Sequence, residues 1–314
     1  MMGTGFGRIG VLAGGPSSER DISLKSGKVV YSALLRKGCD AIFLDVWEDI
    51  YDIIKNNKID IAFITLHGRF GEDGTVQKIL EELGIPYTGS GPAASKLALD
   101  KIAAKEIFKQ NKIPTPTYTV LDRNSFVLED IRQFSLPVVV KPQLEGSSIG
   151  LSVVKEVAAL ERAITEASQY GSKIILEEYI DGRELTVGIL NDEPLPVIEI
   201  VPKRGIYDYT AKYDDPHTRY LVPAPIDEDL SIKAKEFAKR SHLSLGCRSY
   251  SRVDMMMDRM SNIFVLEVNT IPGMTERSLL PKAAQASGLD FDGLCIKLIE
   301  NALQNRIENY ETTK

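Results

Sequence analysis

At 314 residues the chain exceeds what one hydrophobic core usually serves, so two or three domains are expected. Hydrophobic residues at 43%, charged residues at 26% and a formal net charge of -6 describe a soluble globular protein, without the basic surface that nucleic acid or an anionic membrane requires. Three cysteines outside any CxxC pair and three histidines argue against structural zinc and for a reduced, cytoplasmic setting; no apolar stretch nears the ~20 residues of a membrane span, and MMGTGFGRIG has no signal-peptide core.

The apolar runs RIGVLAG (8–14), AIFLDV (41–46) and IDIAFITL (59–66) read as buried strands. Helical patterns separate them, notably residues 23–38, which Gly38 closes. Strand and helix in alternation predict a doubly wound parallel sheet. GTGFG (3–7) precedes the first strand, so it is not a dinucleotide fingerprint and reads as a disordered tail. GGPSSERDISL (14–24) and HGRFGEDG (67–74) follow strand ends, the edge where open α/β sheets bind ligands. Glu19 is therefore expected near His67; a first-turn acidic cap is the plainer role for Glu19.

Residues 90–112 form a helical pattern with Pro92 in its first turn, and IPTPTY (113–118) breaks it. LPVVVKP (136–142) is a short strand that reaches Lys141, and the loop EGSSIG (145–150) follows. Small residues let backbone approach phosphates, and lysine adds a point charge. Residues 159–171 read as an amphipathic helix and 173–180 as a strand. Residues 184–201 read as a hairpin turning at Asn191-Asp192, and 207–220 as a long functional loop. A helix is expected over 226–246, then a second hairpin, SRVDMMMD with NIFVLEVN, and terminal helices.

In that second hairpin, alternation puts Arg252 with Asp254 on one face and Glu267 with Asn269 on one face, opposite Phe264, Leu266 and Val268. Paired, the strands would gather a cation and three oxygen donors suited to Mg²⁺. Alternation alone fits an amphipathic edge with a solvated polar face. The segment VNTIPGMT adds a tight turn able to aim N–H groups at an oxyanion, and Ser278 and Leu279 stand near a helix start, which favours a carboxylate.

Together these segments resemble the D-alanine–D-alanine ligases of the ATP-grasp superfamily. GGPSSERDIS, HGRFGEDG, KPQLEGSSIG, TAKY, and RVD with LEVNTIPGMT occur in that family's order and spacing, nearly end to end. The resemblance implies an ATP-grasp fold, mixed α/β and α+β, with an N-terminal doubly wound parallel-sheet domain. Its units would be 1–95 on the substrate side, 96–185 as the small central ATP-grasp domain, and 186–314 as the C-terminal ATP-grasp domain with metal and substrate sites. It implies a cytoplasmic homodimer that joins two D-alanines through an acyl phosphate and supplies the peptidoglycan dipeptide.

By the same resemblance, Lys101, Lys141 and Lys212 would hold ATP phosphates, Glu177, Glu178, Tyr179 and Ile180 would line the adenine pocket, and Glu184 would bind ribose. Asp254, Glu267 and Asn269 would carry two Mg²⁺ (or Mn²⁺) ions. Glu19 would hold the first ammonium, Arg252 and the Gly273 N–H the oxyanion, and Ser278 with Leu279 the second carboxylate. Glu19, Ser147 and Tyr213 would form a network closing the loop, with His67 beside it. Ser249 and Ser251 depart from the smaller residues usual there, and MMMD is richer in methionine. The alternative is another ATP-grasp carboxylate–amine ligase.

Overall fold

The computed structural model describes residues 5–47, 49–123, 135–203 and 217–311. Three strands, β1 (Ile9–Gly14), β2 (Ala41–Val46) and β3 (Ile61–Ile64), form a parallel sheet in the order β2-β1-β3. Its helices are α1 (Arg20–Arg36), α2 (Ile50–Asn57) and α3 (Thr75–Glu82). Ile9, Val11 and Phe63 pack with Val30, Ala33 and Leu34 of α1 on one face. Leu12, Leu44 and Ile64 pack with Ile50, Ile54, Val76 and Leu80 of α2 and α3 on the other. Burial on both faces explains the unbroken apolar runs and matches the doubly wound expectation. Strand order reverses about β1, so the residues that follow β1 and β3 meet at the switch point.

The single helix expected over 90–112 is two, α4 (Pro92–Leu99) and α5 (Lys101–Gln110). Asp100 is extended (φ -77, ψ 95), and its carboxylate accepts from the N–H groups of Ile102 and Ala103. An N-cap aspartate thus outcompetes continuation of the helix. Consequently Lys101 opens α5.

A second, antiparallel sheet has the order β4 (Tyr118–Asp122), β7 (Lys173–Glu178), β5 (Val138–Pro142), β6 (Ser152–Val154), with α6 (Leu160–Ala167) packed on it. The third comprises β11 (Arg219–Leu221), β10 (Ile198–Val201), β8 (Gly182–Leu190), β12 (Tyr250–Asp258) and β13 (Ile263–Asn269), with β9 (Glu193–Pro194) on β8. Asn191 and Asp192, at φ 53 and 59, make the expected hairpin turn. Arg219 and Tyr220, read as loop, pair with β10; residues 204–216, including Lys212 and Tyr213, lie outside the described residues. Helix α7 (Glu228–Ser244) covers the third sheet, and α8 (Leu279–Ala286) and α9 (Phe291–Glu311) follow. The expected boundaries at 95 and 185 fall inside α4 and β8, and Ala94 and Ala98 of α4 pack into the third sheet's core.

One face assignment changes. In the β12–β13 pair, Asp254 opposes Glu267, but Met255 opposes Val265. Leu266 is the extra residue of a bulge, which re-aims side chains locally. Leu266 therefore lines a cavity with Met256, while Val265 and Val268 enter the core.

Candidate active site

Two cavities adjoin, of about 410 and 150 Å³, and Gly146 and Glu267 line both. The larger lies among the start of α1, the loops after β3 and β5, the β12–β13 hairpin and the start of α8. The smaller lies between the two antiparallel sheets.

Glu19 stands at the N-terminus of α1, yet its side chain makes no capping bond. It is buried and accepts the Ser147 hydroxyl proton. Ser147 and Ser148 both have left-handed backbones, φ 48 and 60, a strained pair of the kind that clusters at functional loops. A Cβ at Gly68 would lie 2.8 Å from Glu19 Oε2, and one at Gly146 3.1 Å. Glycine in both loops is what lets them close on this carboxylate.

His67 is buried in the same wall, its Nε2 3.5 Å from Ser26 Oγ, and Ser17 donates to the His67 carbonyl at 2.6 Å. Burial lowers its pKa below the ordinary imidazole value, with Glu19 opposing. Glu72 was not singled out from sequence. It is buried in the cavity wall, and its Oε2 accepts the Gly68 N–H at 2.7 Å. Burial, reinforced by the Glu19 charge, pushes its pKa up to about 8. The only signal for it was a second carboxylate in a glycine-rich loop.

On the hairpin, Arg252 opposes Asn269 and Asp254 opposes Glu267, as alternation requires. Asp254 Oδ1 also accepts the Thr186 hydroxyl at 2.7 Å, and Lys101 Nζ lies 3.1 Å from Glu267 Oε2. Asn269 Oδ1 accepts the Ile271 N–H at 2.9 Å and so fixes the turn that follows. Two carboxylates and an amide oxygen fit a Mg²⁺ site completed by phosphate oxygens, since that ion often takes few protein ligands. Among the described residues no group of three acidic, histidine or cysteine ligands forms a larger cluster.

Ser278, the residue before α8, is 3.0 Å from the Thr275 N–H that it accepts. Ser278, Leu279 and Gly273 all line the larger cavity, so the first turn of α8 faces it.

Lys101 and Lys141 line the smaller cavity with Tyr179 and Glu184, whereas Glu178 is exposed and Ile180 is buried. Lys101 donates to the Glu145 carbonyl at 2.5 Å. Glu177 is enclosed between two lysines, Lys141 Nζ at 2.9 Å from Oε1 and Lys105 Nζ at 2.6 Å from Oε2. Burial would raise the Glu177 pKa, but the Lys141 and Lys105 charges hold it below the usual carboxylate range. Lys105 was missed from sequence, although Lys101, Ala104, Lys105 and Phe108 trace one buried helical face. Its own pKa is pushed down by burial to about 8.

Two family models match the chain: D-ala D-ala ligase N-terminus over residues 45–90 and D-ala D-ala ligase C-terminus over residues 107–300. The chain is similar to the D-alanine–D-alanine ligase of Geotalea uraniireducens, 46% identical over 295 residues, covering 94% of this chain and 95% of that protein. That of Pelotomaculum thermopropionicum is 45% identical over 309 residues, covering 95% and 97%. A solved D-alanine–D-alanine ligase from Bacillus anthracis is similar with a TM-score of 0.87 at 36% identity, covering 96% of this chain and 99% of that one. One from Bacillus anthracis complexed with ATP gives 0.86 at 33% identity, with the same coverage.

Proposed function

The chain belongs to the D-alanine–D-alanine ligase family, and we propose that its two cavities divide one reaction between them, nucleotide in the smaller and both amino acids in the larger. It is an ATP-dependent ligase that joins two D-alanines into D-alanyl-D-alanine. The observation that carries the division is the shared wall: Glu267 and Gly146 line both cavities, where a phosphoryl group would pass from one to the other.

In this reading Lys101 and Lys141 hold the ATP phosphates, Glu184 the ribose, and the strand end from Glu177 to Ile180 borders the adenine. The first D-alanine lies with its ammonium against Glu19 and its carboxylate toward the junction. Transfer of the γ-phosphoryl group to that carboxylate gives an acyl phosphate, because a free carboxylate is a poor electrophile. Mg²⁺ or Mn²⁺ held by Asp254, Glu267 and Asn269 would neutralise charge on the transferring phosphoryl group. The second D-alanine rests its carboxylate on Ser278 and the Leu279 N–H; its ammonium gives up a proton to solvent, and the free amine attacks the acyl carbon. Arg252 and the Gly273 N–H hold the oxyanion that forms, and collapse releases phosphate. Burial favours the neutral imidazole at His67, so beside Glu19 it does not compete with the first ammonium. The family resemblance assigns the γ-phosphate to Lys212 and a lid role to the 207–220 loop, of which 207–216, with Lys212 and Tyr213, lie outside the described residues; water must be kept from the acyl phosphate in any case. No helix of the described residues is long and apolar enough to cross a membrane, and we assign the enzyme to the cytoplasm as a homodimer making the peptidoglycan dipeptide.

The test is phosphate release with ATP, Mg²⁺ and D- or L-alanine, with product analysis. D-alanyl-D-alanine, ADP and phosphate in equal amounts are expected. Equal turnover of L-alanine, or none with any D-amino acid, overturns the reading.

A further inference from the structure

Glu177 carries one negative charge and faces two lysines, Lys141 and Lys105. The Glu177 carboxylate is 2.9 Å from Lys141 Nζ, and these two groups alone would be an electrically neutral pair. Lys141 would then meet a phosphate with most of its charge already compensated. Lys105 changes the sum. Its Nζ lies 2.6 Å from the other Glu177 oxygen, and a second donor position is taken by Thr115 Oγ1, also at 2.6 Å. Its side chain is 0% exposed and it does not line the cavity, so it makes no direct contact with a ligand there, and Glu177 is its nearest charged link to Lys141. Burying a lysine is costly unless it is paired, and Lys105 is held there by a carboxylate and a hydroxyl on separate parts of the chain.

We propose that Lys105 is a positioning residue for nucleotide binding: it neutralises Glu177 from behind, so that Lys141 keeps its charge for the phosphates. The inference rests on the reading of the smaller cavity as the nucleotide site. Its class of ligand is a nucleoside polyphosphate, and its effect falls on the phosphate part of that ligand and not on the nucleoside.

The experiment measures dissociation constants for Mg²⁺-ATP and for adenosine by calorimetry, using the full chain and the variants Lys141→Met, Lys105→Met and Lys105→Met/Glu177→Gln. Lys105→Met is expected to weaken ATP about tenfold, the scale of one partly screened charge, and to leave adenosine within about twofold. The double variant removes both charges behind Lys141; because Glu177 borders the adenine, its ATP constant is read against its own adenosine constant, and that ratio is expected to return to within about threefold of the parent's. Equal weakening of ATP and adenosine by Lys105→Met, or no recovery of that ratio in the double variant, overturns the inference and leaves Lys105 a packing residue. Lys141→Met separates this from failure of the underlying reading. If ATP binding is unchanged in that variant, the nucleotide assignment itself is wrong; if it falls there while Lys105→Met has no effect, only the role of Lys105 is wrong. Should Lys105→Met alone not fold, the double variant decides: an ATP-to-adenosine affinity ratio like the parent's supports the inference, and a tenfold fall in that ratio overturns it.

Discussion

Arg252 grips Asp254 at two points, Nε 2.8 Å from Oδ1 and Nη2 2.7 Å from Oδ2, across a spacing of two residues on one strand. Both side chains are largely buried, 13% and 11% exposed. The pair fixes the guanidinium plane at the mouth of the larger cavity, and the fork geometry is something lysine cannot reproduce.

Arg252→Lys should therefore keep a charge near Asp254 and lose the aimed donor. Removing one oxyanion donor typically costs ~3–4 kcal/mol, so kcat should fall on the order of a hundredfold, with ATP affinity little changed. Steady-state kinetics with a thermal melt checks this. A kcat within about threefold of the parent would remove Arg252 from the oxyanion site.

Glu267 sits at the junction of both cavities, opposite Asp254 and 3.1 Å from Lys101. Glu267→Gln retains shape, and Lys101 retains the Glu145 carbonyl, so the fold should persist. A neutral amide cannot offset the charge of a divalent ion, and activity should fall by several orders of magnitude at any Mg²⁺ concentration. Activity within about tenfold of the parent would reject the metal assignment.

Local pattern made much of this legible. Buried parallel strands need near-continuous apolar runs, and 8–14, 41–46 and 59–66 have them. Period-two alternation was enough to bring Arg252, Asp254, Glu267 and Asn269 onto one face. What alternation could not reveal was the bulge at Leu266, because one inserted residue leaves the composition of the strand unchanged. The break at Asp100 was hidden because residues on both sides keep helical spacing. Lys105 escaped, and Glu177 was named only for the adenine pocket, since their pairing joins a helix to a distant strand. Ser249 and Ser251, odd against the family pattern, have side-chain partners in space: Ser251 Oγ is 2.7 Å from His242 Nδ1, and Ser249 Oγ accepts from the Asn301 amide at 3.3 Å, while the Ser249 N–H donates to Asp192 at 3.1 Å. His242 Nε2 in turn lies 3.0 Å from Asp192 Oδ1, so the two serines belong to one network with the hairpin turn.

Glu177 also makes stability depend on acid. Its folded pKa lies below the ordinary 4.5 because two ammonium groups favour the ionised form. A depressed carboxylate contributes stability that is fully present above the unfolded value and is lost as pH falls through the folded one. The melting temperature of the parent should therefore decline below about pH 4.5. Glu177→Gln leaves two buried lysines without their carboxylate, a loss of about 3–5 kcal/mol at neutral pH. The gap between parent and variant should be widest near pH 7 and narrow toward pH 3. A gap that stays constant over this range would mean that Glu177 is not ionised in the folded protein.

Gly273 and Ser278 face each other across the turn before α8. A Cβ on Gly273 would lie 2.9 Å from Ser278 Oγ, closer than such atoms normally approach. Gly273 is not among the residues with positive φ, so alanine there strains no backbone, and its effect must come from that side-chain contact. Ser278 is not free to yield cheaply. Its Oγ accepts the Thr275 N–H at 3.0 Å and lies 2.9 Å from Thr275 Oγ1, at the residue preceding α8. Gly273→Ala should push the hydroxyl off its position while leaving both the Gly273 N–H and the nucleotide cavity in place. If Ser278 holds the carboxylate of the second D-alanine, KM for that substrate should rise roughly tenfold, about the value of one hydrogen bond to a charged group. The KM for ATP should stay within about twofold, and the melting temperature should fall only by the net worth of the displaced Ser278–Thr275 bonds, about 1 kcal/mol, because no cavity opens. Initial rates at varied D-alanine and fixed ATP, then the reverse, separate the cases. Equal rises for both substrates would indicate general distortion of the site. Unchanged D-alanine kinetics would show that the Ser278 hydroxyl bears no load in the acceptor subsite, and only the Leu279 N–H at the start of α8 would be left to hold the second carboxylate.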